Sequence, residues 1–111
     1  MIREILTESG VTFAHSRFLR TPAGTYAVYF ENRSVDGPDT TGTPVAGGTP
    51  RIIHHNVTVE LYEPAPDDAS EAAIEAALDA RGLLWTKEDR VWLPTEQLYQ
   101  VVFEFSHTTK I

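Results

Sequence analysis

Along much of this chain apolar side chains recur at every second position, the period of a strand with one face turned to a core. From Thr25 to Asn32, Tyr26, Val28 and Phe30 alternate with Ala27 and Tyr29, which predicts a strand with both faces partly covered. A longer strand is predicted from about Arg51 to Tyr62. Ile53, His55, Val57, Val59 and Leu61 line one face of it; Ile52, His54, Asn56, Thr58, Glu60 and Tyr62 line the other. Its β-branched content suits a pleated, half-buried surface. Glu96 to Ser106 repeats the pattern, with Tyr99, Val101, Phe103 and Phe105 opposed to Leu98, Gln100, Val102 and Glu104.

Elsewhere the period lengthens to that of a helix. Ile2, Ile5 and Leu6 predict a short amphipathic helix stopped at Gly10. A short strand is expected over Val11 to Ala14, then a turn at Thr21-Pro22-Ala23-Gly24. A second helix is predicted from about Ala69 to Arg81. Asp68 and Glu71 have the spacing of a capping box, and Gly82 is placed to end the helix. Ala73, Ile74, Ala77, Leu78 and Arg81 form its inner stripe, with Glu71, Glu75 and Asp79 toward solvent. Leu83-Leu84-Trp85 and Arg90-Val91-Trp92-Leu93 read as two short strand pieces around the bend Lys87-Glu88-Asp89. The order α-β-β-β-α-β-β predicts one α+β domain over residues 1–111, a mainly antiparallel sheet with helices packed on one face.

The first two long strands are separated by Ser34 to Pro50, rich in Gly, Thr, Pro and Asp and nearly devoid of large apolar groups. That is too long for a tight turn, and loops of such length are usually functional or disordered. The expectation is a long, flexible β-hairpin arm over about residues 34–50.

Composition narrows the classes of function. With 111 residues the chain has room for one modest core, and no apolar run approaches a membrane span. Cytoplasmic residence is the default expectation, since Met1-Ile2-Arg3-Glu4 does not resemble a signal peptide. No cysteine is present, which excludes disulfides, thiolate nucleophiles and cysteine metal sites. A core without covalent staples gains from oligomerisation or a partner. The net charge of −7 opposes nonspecific binding to nucleic acid or anionic lipid.

The search for catalytic chemistry returns structural explanations. His54 and His55 are neighbours on a strand and so face opposite sides, which argues against a shared metal. His15 and His107 lie near strand ends, with nothing in the sequence to set them beside a carboxylate pair. Asp36-Gly37-Pro38-Asp39 lacks the spacing of a calcium loop, and Gly47-Gly48-Thr49-Pro50 is no phosphate-binding loop. Neither Asn32-Arg33-Ser34 nor Asn56-Val57-Thr58 has the context of a glycosylation site. No enzyme activity, catalytic residue, metal or cofactor is expected. Aromatic rings such as Trp85 and Trp92 are candidate interface anchors, as are Tyr29, Tyr62 and Tyr99.

The run His54-His55-Asn56-Val57-Thr58-Val59-Glu60-Leu61-Tyr62 is followed by a short acidic helix. The chain closes on Gly82-Leu83-Leu84-Trp85-Thr86-Lys87 and Thr95-Glu96-Gln97-Leu98-Tyr99-Gln100-Val101-Val102-Phe103-Glu104-Phe105. Together these segments resemble the small neck proteins of siphophages and prophages, a family similar to tail terminators and tail-completion proteins. The resemblance implies a ring, commonly a hexamer, that caps the tail tube and joins it to the head connector. DNA would pass through the lumen without specific binding. The implied partners are further copies of the chain, the tail-tube protein and a head-completion or connector protein. The implied location is the head–tail junction of a virion assembled in the host cytoplasm. Asp36, Asp39, Thr41, Val45, Arg51, Glu71, Glu75, Asp79, Trp85 and Trp92 are the candidate interface residues. An alternative fits the acidity: a small protein-binding module of immunity or antitoxin type with a basic partner.

Overall fold

A computed structural model describes residues 1–18, 20–36 and 52–110, those of Asp36 and Lys110 by backbone alone. The elements run α1 (Ile2–Ser9), β1 (Thr12–His15), β2 (Tyr26–Asp36), β3 (Ile52–Glu63), α2 (Asp68–Ala80), β4 (Trp85–Lys87), β5 (Val91–Leu93) and β6 (Leu98–Lys110). The architecture is α+β, with six strands among the described residues in one sheet, in the order β1-β2-β3-β6-β4 with β5 also paired to β6. The two short pieces around the 87–89 bend are therefore separate strands, one more than the expected order. Both lie antiparallel to β6, at different heights along it.

The three long strands carry the alternation read from the sequence. β2 and β3 pair antiparallel from Tyr26↔Tyr62 to Asp36↔Ile52, and β3 pairs with β6 from Glu63↔Tyr99 to Ile52↔Lys110. Ala27, Tyr29, Val57, Val59, Leu61, Val101, Phe103 and Phe105 are buried on one face. Against them pack Ile2, Ile5 and Leu6 of α1 and Ile74, Ala77 and Leu78 of α2, so both helices cover the same side. β1 lies one residue later than expected and joins β2 in parallel, with Thr12 opposite Tyr26. β6 runs four residues beyond the expected end.

Helix ends follow capping chemistry, with one correction. The N-cap of α2 is Asp67, one residue before the expected box: its Oδ1 accepts from the Ser70 amide at 3.0 Å. Asp67 Oδ2 also accepts from the Thr25 hydroxyl at 2.6 Å, tying the helix start to the entry of β2. At the other end the Leu83 amide reaches Leu78 O and the Gly82 amide reaches Asp79 O, the paired bonds of a Schellman close. Gly82 takes φ 66°, a conformation glycine adopts without a Cβ penalty. An Arg81–Glu8 fork, at 2.6 and 2.9 Å, links the end of α2 to α1.

Candidate functional site

Of the expected interface residues, Asp39, Thr41, Val45 and Arg51 lie outside the described residues, and so does most of the 34–50 arm. Asp36 is the last residue of β2, opposite Ile52 at the start of β3. The remaining five cluster around α2 and the strands that follow it.

Glu71 overturns the expectation of a solvent-facing helix position: it is 4 % exposed. It sits beside Glu63, which ends β3 and is fully buried. Arg90, just before β5, donates from Nε to Glu63 Oε1 and Glu71 Oε2 at 3.2 Å each. Its Nη2 donates to Glu71 Oε2 and Asp68 Oδ1 at 2.6 Å. Lys87 at the end of β4 pairs with Glu71 Oε1 at 2.8 Å and stands 3.6 Å from Glu75. Burial, then a proton-sharing hydrogen bond with Glu71 and its charge, push the Glu63 carboxyl up to about 7. Burial also works to raise Glu71, but hydrogen bonds from Glu63, Lys87 and Arg90 outweigh it and hold that carboxyl below its ordinary value. Of the pair, Glu63 is thus the member that keeps its proton up to about pH 7, and Glu71 the one that ionises first.

This cluster clamps the β4–β5 bend onto α2. It also takes Glu71 out of the acidic surface of α2. Asp67 is spent on capping, and Asp79 accepts from Trp85 Nε1 at 2.8 Å, so among the α2 acids Asp68 is the most open. Trp85 packs over Phe103, with ring centroids 6.1 Å apart, against the core. Trp92 behaves differently: it is 44 % exposed and tilts on Tyr99 at 4.8 Å.

Two further surfaces were not legible in the sequence. On the side of the sheet away from the helices, a shallow groove is lined by Phe18, Tyr26, Val28, Phe30, Tyr62 and Leu93, among others. Tyr26 stacks on Tyr62 at 5.3 Å and Phe18 meets Tyr26 edge-on, while Phe30 is 40 % exposed. On β5, exposed Val91 shares the parity of Leu93 and faces this same side, whereas exposed Trp92, opposite Tyr99, faces the helix-covered side. The other surface is a polar group on the helix-covered side, nearer the hairpin tip than the last core residues. Glu31 of β2, His55 of β3 and His107 of β6 bring one donor atom each to within 4.8 Å of one another. His107 thus stands near one carboxylate, a neighbour the sequence did not show. Register explains it: His55 lies directly opposite His107, and Glu31 is one diagonal away. His54 points to the opposite side of the sheet, as alternation requires.

The architecture has a solved counterpart. A chain in the virion of a native gene transfer agent (GTA) particle superposes with a TM-score of 0.59, over 96 % of this chain and 84 % of that one. The fold is shared with a virion chain. The two sequences are 17 % identical, so the likeness lies in the fold. No family model matches this chain, and no curated protein does.

Proposed function

We propose that this protein is a structural component of a phage or phage-like virion, a ring-forming tail terminator at the head–tail junction. One observation carries the reading: nearly the whole chain shares its fold with a chain of the GTA virion, not merely a fragment of it. The sequence resemblance to neck proteins, made on different grounds, leads to the same class. In this reading the function resides in surfaces rather than in catalysis. The exposed Phe30, Val91 and Trp92 are suited to contacts between copies or with the tail-tube and connector proteins. In this reading the protein acts in the virion after assembly in the host cytoplasm, and DNA passes through a ring whose subunits each carry a net charge of −7, which discourages adhesion.

Deletion of the gene from its particle tests this. The expected result is filled heads beside unjoined tails of abnormal length, restored by the gene supplied in trans. Joined particles of normal morphology in the deletion strain contradict it.

A further inference from the structure

The polar group at the base of the hairpin has the composition of a transition-metal site. Three adjacent strands each supply one ligand-type side chain to one place: Glu31 from β2, His55 from β3 and His107 from β6. Two imidazoles and a carboxylate are a donor set for Zn²⁺ and the borderline divalent ions near it, whereas Mg²⁺ and Ca²⁺ take oxygen ligands. The two imidazoles are well enclosed, with His55 12 % and His107 11 % exposed, and the Glu31 carboxylate is 28 % exposed.

Distances bracket what an ion needs. Donors around a tetrahedral zinc ion lie about 3.3 Å apart, given bonds of about 2.0–2.1 Å. Glu31 Oε1 is 2.7 Å from His55 Nδ1 and 3.9 Å from His107 Nε2. Shifts of well under 1 Å bring both to the required spacing. His55 Nε2 is 2.9 Å from Thr109 Oγ1, so the outer nitrogen is already held by a hydroxyl, the kind of outer contact that fixes a ligating imidazole.

The rings of His55 and His107 stack at 4.3 Å and 5°. Parallel stacking sends their in-plane lone pairs side by side, so one ring must turn for both to reach a single ion. His107 is the ring that turns at least cost: its Nδ1 is buried and has no hydrogen-bond partner among the described residues.

We propose that Glu31, His55 and His107 bind one divalent transition ion of the Zn²⁺ class, which staples β2, β3 and β6 together at the root of the hairpin. The staple lies beyond the last helix-covered residues, in a chain that has no cysteine to do the same work. A water completes the coordination.

The test is titration of the chelator-stripped full chain with Zn²⁺ and, separately, Mg²⁺, followed by calorimetry and thermal melting. The expected result is one Zn²⁺ per chain and a Tm rise of roughly 10 °C at a hundredfold excess over Kd, with no response to Mg²⁺. His55→Gln and His107→Gln each weaken Zn²⁺ binding at least about tenfold, in line with loss of one ligand, and His15→Gln leaves it unchanged. Should either variant fail to fold, side-chain NMR of the unaltered protein decides: Zn²⁺ must shift the His55 and His107 imidazole signals. Absence of Zn²⁺ binding overturns the proposal. So does binding that survives both substitutions, or NMR shifts confined to His15 and His54.

Discussion

Glu63 and Glu71 share one pocket where β3 hands over to α2, and only one of the two needs to ionise there. Burial disfavours charge on both, while Arg90 and Lys87 supply countercharge that Glu71 receives more directly. The sign of the resulting pH dependence follows from Glu63. Its folded-state value, about 7, stands above its ordinary 4.5, so between these limits the folded chain holds more protons than the unfolded one. The contribution to stability is fully present below about 4.5 and is lost as pH rises through about 7. Glu63→Gln mimics the protonated acid, keeps an acceptor for Arg90 and gives Glu71 an N–H. Its thermal melts should match the parent near pH 5 and exceed it near pH 8, flattening the slope; an unchanged slope contradicts the assignment. The sequence could not show this pair. Helical periodicity put Glu71 on the wet side of α2, and what turned it inward were Arg90 and Lys87, cations that only the tertiary fold brings near.

At the scale of elements, what a single segment encodes was legible and what needs two segments was not. The alternation in β2, β3 and β6 gave their faces correctly, because period 2 and β-branching are local signals. The helices were equally plain, from Ile2, Ile5 and Leu6 to the Gly10 and Gly82 stops. By contrast, the parallel pairing of β1 and the two berths of β4 and β5 along β6 depend on partners distant in sequence. The cap of α2 shows the distinction within one turn. Asp67 and Asp68 both have the chemistry, and Thr25, arriving from the start of β2, joins Ser70 on Asp67. Asp67→Ala removes that cap and the tie to β2 together. Chemical denaturation should show a loss of about 1–2 kcal/mol, with Asp68→Ala costing less. Equal costs for the two substitutions would mean that the cap is not specific to Asp67.

At the scale of the molecule the sheet divides into two parts. One half is covered by α1 and α2; the strands then run on toward the hairpin, giving a body of 55 × 29 × 24 Å. That elongation suits a subunit whose neighbours complete it, as do the apolar Phe30, Val91 and Trp92 left at the surface. The functional surfaces were only partly legible in advance. Trp92 was singled out and is exposed, Trp85 was singled out and is packed over Phe103, and the groove at Tyr26, Phe30 and Tyr62 emerges only when β2 and β3 pair. The central claim, a ring that caps a tail tube, is tested most directly by native mass spectrometry of the protein alone and mixed with the tail-tube protein of its particle. The account predicts a closed oligomer, a hexamer, formed alone or on the tube. A monomer under both conditions, or a one-to-one complex with a single basic protein in its place, would contradict it.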